Sequence, residues 1–274
     1  MYTKIPKTMD NLMEYVLVEV NNRNLPISEF KIQKLIFKIK MELGESHELY
    51  CQLPFYWYLK GPYSEVVTAS FKRKLPEIKN LTPKIIYPEI ENITATILDK
   101  NDYFINQIDK DIYKEFAPYE FMYPYKYGIY NIAKASDSAD FNVEEYIKKI
   151  YRCVAKLPNE EYFYEFNIQF SKLSTNFDLI NDSGNFQKNW NSMRIPIMEI
   201  WKTFVKGLRV KYKDDYYNYL EKTWNKEYKT CLNNLNKVID QTTQYIDFNN
   251  LPKYEYTKSV KKITESTLGV YLRR

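Results

Sequence analysis

The sequence predicts a mostly α-helical protein of the α+β kind, and two observations carry that prediction. Apolar residues recur three and four positions apart along most of the 274 residues, the spacing of one buried helical face. Strand-like composition is confined to two short stretches in the first hundred residues, 53–60 and 84–98. The expected organisation is an N-terminal winged-helix-like domain (1–117), a linker (118–140), a helical bundle (141–250) and a basic tail (251–274).

Met9, Met13, Val16 and Val20 mark a first helix. Pro26 and Ser28 open a second, with Ser28 as its N-cap and Gly44 as the glycine that ends it. Its apolar stripe is Ile32, Leu35, Ile36, Ile39 and Leu43, while Lys31, Lys34 and Lys38 share the opposite side. The aromatic run Leu53–Lys60 reads as extended chain. Gly61-Pro62 turns it into a third helix from Ser64 to about Leu75, burying Val67, Phe71 and Leu75 and turning Thr68, Lys72 and Arg73 outward. The β-branched stretch 84–98 is expected to form a short hairpin. Three helices followed by a hairpin is the order of a winged helix-turn-helix.

Pro118, Pro124, Gly128 and the polar run 136–140 mark the linker. Beyond it, Asn142 with Glu145 reads as a capping box, and Tyr146, Ile147, Ile150, Tyr151 and Val154 as the buried face that follows. Phe163, Phe166, Phe170, Leu173, Phe177 and Ile180 form a heptad seam. A long helical pattern then runs from Trp190 through Trp201, Leu208, Tyr212, Tyr216 and Trp224 to Ile239, with Gly207 as the candidate break.

Composition narrows the chemistry. There is no apolar run of about 20 residues to span a bilayer and no signal-peptide pattern near the start. Cys51, Cys153 and Cys231 stand far apart without a CxxC, and His47 is the sole histidine. Neither a disulfide framework nor a Cys/His metal site is expected, and the expected compartment is a reducing cytoplasm. A single histidine in a turn offers no base for a hydrolytic triad, and 6 scattered glycines form no phosphate-cradling loop. No catalytic residue, metal or cofactor is therefore expected. The one pattern with catalytic flavour is Glu77-Ile78-Lys79, a Glu-x-Lys of the kind metal-dependent nucleases carry, with Asp99 and Asp102 as candidate carboxylates. Net charge is +5 and uneven: residues 85–185 hold 10 basic against 17 acidic side chains, residues 186–274 hold 17 against 9. That distribution fits either an anion-binding surface or internal complementarity.

Lys31, Lys34, Lys38, Lys60, Ser64, Thr68, Lys72, Arg73 and Lys74 gather around the second and third helices, where phosphates of double-stranded DNA would be met. The same lysines also suit ordinary solvated helix faces. The 27 tyrosines supply rings with a polar tip that serve cores and interfaces alike.

The run Lys31-Ile32-Gln33-Lys34-Leu35-Ile36-Phe37, followed by the aromatic segment and Lys60-Gly61-Pro62-Tyr63-Ser64, resembles the Panacea (SocA-like) domain of phage-associated proteins over roughly residues 9–100. Gln33, Lys34, Leu35, Gly61, Pro62 and Tyr63 carry the likeness, although Ile32 replaces the usual leucine and the helical half after residue 140 is not part of that domain. The resemblance implies a non-catalytic regulator of the antitoxin kind that binds a partner protein directly. A winged-helix DNA-binding regulator is the alternative and a metal-dependent nuclease the second alternative; a homodimer is left open.

Overall fold

The computed structural model describes residues 7–83, 87–135, 141–182 and 186–250, so the basic tail at 251–274 lies outside the described residues. The fold is mostly α-helical, with one two-stranded antiparallel hairpin in its N-terminal part and helices throughout the C-terminal part. The chain divides into two compact units: residues 1–123 with 204–229, and 124–203 with 230–274.

In the first unit, α1 (Lys7–Asn22) buries Met9, Leu12, Met13, Val16, Leu17 and Val20, the apolar stripe the sequence predicts. Helix α2 (Glu29–Leu43) starts at Ser28, which is extended and whose side-chain oxygen accepts from the Lys31 amide at 3.3 Å. It ends at Gly44, where φ is +75°. Strands β1 (Tyr56–Tyr58) and β2 (Gly61–Tyr63) pair antiparallel, Tyr56 opposite Tyr63 and Tyr58 opposite Gly61. Helix α3 (Glu65–Lys74) is capped by Ser64, which accepts from the Val67 amide. The hairpin thus stands between the second and third helices, not after the third.

Of the stretch 84–98 predicted as a hairpin, residues 84–86 lie outside the described residues and residues 88–98 are helical instead. Helix α4 (Pro88–Leu98) places Pro88 in its first turn, where a missing amide costs nothing, with Glu89 and Glu91 at its positive end. Ile90, Thr94, Ile97 and Leu98 fall four, three and one apart on its buried face, a helical period that outweighs β-propensity. A π-type turn at Tyr103–Gln107 leads into α5 (Ile108–Phe116), which buries Ile108, Ile112 and Tyr113. Within the predicted linker, residues 122–135 are helical: α6 (Met122–Tyr125), a π-type turn and α7 (Asn131–Ala135). The chain there buries Phe121, Met122, Tyr125 and Ile129, which a solvated linker would not do.

The second unit holds α8 (Val143–Val154), α9 (Tyr164–Asp182), most of α10 (Phe186–Lys211) and the C-terminal part of α11 (Glu221–Asn250). Asn142 caps α8, its side chain accepting from the Glu145 amide at 2.9 Å. Tyr146, Ile147 and Ile150 are buried as expected; Cys153 takes the inward place that Tyr151, which is exposed, was assigned. All six residues of the predicted seam from Phe163 to Ile180 are buried. Tyr125 and Trp201 stack at 6.0 Å, and the Tyr125 hydroxyl donates to the Ile197 carbonyl at 2.8 Å.

The long pattern from Trp190 to Ile239 is two helices rather than one. Gly207 is buried inside α10, and the break comes at residues 212–214, which turn extended. Trp57 donates to Tyr212 O at 3.3 Å and Asp214 to Phe55 O at 3.0 Å, so this segment docks along β1. Exchanging helical hydrogen bonds for sheet-like ones is what stops the helix here. Among the described residues no helix is long and apolar enough to cross a membrane.

Candidate functional site

The hairpin is the centre of the first unit, and two buried polar side chains of α2 hold it. Gln33, 3% exposed, donates to Ser64 O at 2.8 Å and to Thr68 Oγ1 at 2.9 Å, and accepts from Ser64 N at 3.1 Å. Its amide is thereby satisfied on both sides, which burial demands. Lys34, 1% exposed, donates to Pro62 O at 3.1 Å and to Lys60 O, with Asp109 Oδ1 3.9 Å away. The ammonium therefore closes the two-residue turn between the strands. Gly61 has φ +89°, and a Cβ there would stand 2.8 Å from Lys34 Nζ and 3.1 Å from the Tyr113 ring. Gln33, Lys34, Leu35, Gly61 and Pro62 are buried, with Tyr63 half-buried, and the four polar or turn-forming members, Gln33, Lys34, Gly61 and Pro62, are what fixes the hairpin on α2.

The lysines predicted to share an open face do not do so. Lys31 is half-buried and donates to Ile105 O; burial lowers its pKa, opposed by Asp109. Lys38 lies between Glu42, at 2.9 Å, and Glu115. Burial works against its charge, but the hydrogen bonds to Glu115 and Glu42 outweigh it and its pKa is raised. The physical reason is the segment 103–116, which packs its own carboxylates and carbonyls against that side of α2. On α3, Arg73 pairs with Asp10 and Lys74 with Glu14. Lys72 and Lys60 are exposed. Ser64 is wholly buried as a cap, and Thr68, expected outward, is half-buried and donates to Glu29 Oε1 at 2.6 Å.

The residues with catalytic flavour are scattered. Glu77 and Lys79 lie in a 3-10 stretch (Leu75–Asn80), not on the strand their reading requires. Asp99 pairs with Arg23, and Asp102 accepts from Asn106 at 2.7 Å. His47 Nδ1 accepts from the Leu49 amide at 3.2 Å and the ring meets the edge of Tyr87. Among the described residues no three His, Cys, Asp or Glu side chains gather as metal ligands. The three cysteines form no disulfide; Cys153 is buried and its thiol is pushed up to about 12 by desolvation.

What the hairpin does assemble is a chain of aromatic rings within the first unit. Tyr219 lies 6.4 Å from Tyr216, Tyr216 5.0 Å from Tyr217, Tyr217 4.9 Å from Tyr56, and Tyr56 5.7 Å from Tyr63. Trp224 and Tyr58 join it, 4.7 and 6.1 Å from Tyr56. The middle is core: Tyr56 and Tyr217 are buried, and their phenols are raised by burial first and by Glu65 next. The end is surface, Tyr216 being 38% and Tyr219 62% exposed. Beside the hairpin turn, a cleft of about 360 Å³ is lined by Phe30, Lys34, Tyr58, Lys60 and Tyr63.

The residues that stand out here differ from the predicted ones. Asp214 bonds to Lys40 Nζ at 2.6 Å and to the Phe55 amide, clamping residues 212–214 onto β1. Tyr212 and Tyr216, expected as a buried helical stripe, are exposed because that helix has ended. Lys213-Asp214-Asp215 was the available sequence signal: adjacent acids at a helix C-terminus oppose its dipole. No family model, curated protein or solved structure that was compared matches the chain.

Proposed function

We propose that this chain is a non-catalytic regulator of the antitoxin kind, acting by direct binding to a partner protein through the tyrosine-rich surface of its first unit. One observation carries the reading: the cations around α2 and α3 are mostly spent on internal carboxylates and carbonyls, whereas Tyr216 and Tyr219 present open rings. Tyrosine is enriched at protein interfaces because it buries much area at a small entropy cost and keeps a polar tip. Phosphate binding needs several free cations on one face, and Lys72 and Lys60 are a thin supply.

The test is site-specific photo-cross-linking in cells, with p-benzoylphenylalanine at position 219 and, as control, at the exposed position 222. A discrete protein adduct from 219, absent from 222, is the expected result. No adduct from 219, together with retention of duplex DNA at low salt that Lys72→Glu abolishes, would overturn the reading in favour of a DNA-binding regulator.

A further inference from the structure

In the second unit, α9 and the C-terminal part of α11 line two cavities that follow one another along α9. The first, of about 450 Å³, is lined by Asn176 and Leu179 of α9 and by Thr243 and Gln244 of α11. The second, of about 280 Å³, is lined by Ile168 and Gln169 of α9 and by Asn233 of α11. Each holds a side-chain amide with one atom bare. Asn176 is 2% exposed, and its Oδ1 accepts from Thr243 Oγ1 at 3.1 Å. Among the described residues its Nδ2 is buried with no hydrogen-bond partner, and so is Gln169 Oε1. A buried polar atom left bare is costly and calls for a partner.

One bare atom is a donor and the other an acceptor, so each is what the other needs. They cannot meet within one chain, because seven residues of helix set them about 10 Å apart. Seven residues is also close to two turns, which puts both amides on one face of α9. A helix that meets an antiparallel copy of itself sets Gln169 of each opposite Asn176 of the other. One twofold axis, passing between positions 172 and 173, then satisfies all four atoms. A foreign partner would have to match the same donor and acceptor at the same spacing; a second copy brings them by symmetry. The same axis serves the rest of the face. Ile168 and Leu179 are exposed, one beside each cavity. Across the axis Ile168 faces position 177 of the second copy, two residues from its Leu179. Lys172, beside the axis, lies 3.6 Å from Asp240, and both are half exposed. Two such ion pairs related by the axis lie head to tail, so each ammonium meets the other copy's carboxylate.

We propose that this chain forms a homodimer through α9, packed antiparallel against α9 of a second copy. Gln169 Oε1 accepts from Asn176 Nδ2 of the other copy, in both directions. Leu179 of each copy enters the cavity beside Ile168 of the other. The inference concerns the second unit and does not depend on the partner-binding surface of the first.

Sedimentation velocity of the full chain tests the assembly, and engineered cysteines test its geometry. The wild type is expected to pass from monomer to dimer with a dissociation constant of about 10 μM or below. Leu179→Arg, at an exposed position, is expected to weaken the dimer at least about tenfold. Gln169→Leu, which strands Asn176 of the other copy, is expected to do the same by about tenfold. In a Cys51→Ser/Cys231→Ser background, Ile168→Cys together with Leu179→Cys is expected to give a covalent dimer on oxidation. Neither single variant should, since like positions then lie about 13 Å and about 19 Å apart along the antiparallel pair, beyond the reach of a disulfide. A chain that stays monomeric up to about 100 μM, or a dimer indifferent to Leu179→Arg, would overturn the proposal. So would a dimer that the paired cysteines fail to lock, or one that either single cysteine locks.

Discussion

Two sides of the first unit put their polar side chains to opposite use. Along α2, Gln33, Lys34, Lys38 and Lys40 point into the protein, and each finds a carbonyl or carboxylate. At the outer end of the aromatic chain, Tyr216 and Tyr219 instead turn their rings to solvent. The difference teaches that charge counting along a sequence is a poor guide to binding. A lysine matters to a ligand only when the fold leaves it unmatched, and here the lysines of α2 are matched while Tyr216 and Tyr219 stay open.

The largest expected effect comes from breaking the matched side. Lys34→Ala leaves the carbonyls of Lys60 and Pro62 and the Asp109 carboxylate without their cation, and should cost about 3–5 kcal/mol in urea unfolding. Gly61→Ala forces a positive φ on a side chain and drives its Cβ against Lys34 Nζ, for about 1–3 kcal/mol by the same measurement. Asp214→Asn weakens the clamp on β1 through Lys40 and the Phe55 amide, and about 1–3 kcal/mol is expected. On the open side, Tyr219→Ser should change stability by less than about 0.5 kcal/mol, since its ring is largely in solvent. If it proves as costly as Gly61→Ala, this surface is core and the comparison fails.

Two smaller effects sharpen the picture. The Glu227 carboxyl is held below its ordinary range chiefly by the Lys206 hydrogen bond, against a burial penalty and with help from Arg209. A depressed folded-state pKa stabilises above the unfolded value of about 4.3 and is lost as pH falls through the folded one. The fall in melting temperature from about pH 5 to pH 3 should therefore be smaller in Glu227→Gln. Cys153, buried and raised to about 12, should resist a thiol reagent at pH 8 until the chain unfolds, while exposed Cys51 reacts at once.

How much of this was legible in the sequence varies with the physics behind each feature. The seam from Phe163 to Ile180, the stripe of α1 and the caps at Ser28, Ser64 and Asn142 were all readable, because periodicity and capping are local rules. Helix α4 was misread as a hairpin because Ile and Thr at helical spacing satisfy both β-propensity and a helical stripe, and tertiary burial decides between them. The lysines of α2 were misread because their counterparts lie far along the chain: Ile105, Asp109 and Glu115 for Lys31, Lys34 and Lys38. The Gln33–Lys34…Gly61-Pro62 block was recognised as a motif, but its work on the hairpin turn is visible only in three dimensions. The exposure of Tyr216 and Tyr219 was hidden for the same reason: the helix that would have carried them ends only because residues 212–214 dock on β1.

The most direct test sets the two sides against each other on one complex, that with the protein captured at position 219. Dissociation constants should be measured for Tyr216→Ala/Tyr219→Ala and for Lys60→Ala/Lys72→Ala. The tyrosine pair is expected to weaken the complex by roughly 100-fold, the scale of two interface hot spots, and the lysine pair by less than about threefold. The reverse ranking, with the lysine pair dominant and the tyrosine pair silent, would contradict the assignment of binding to the tyrosine surface.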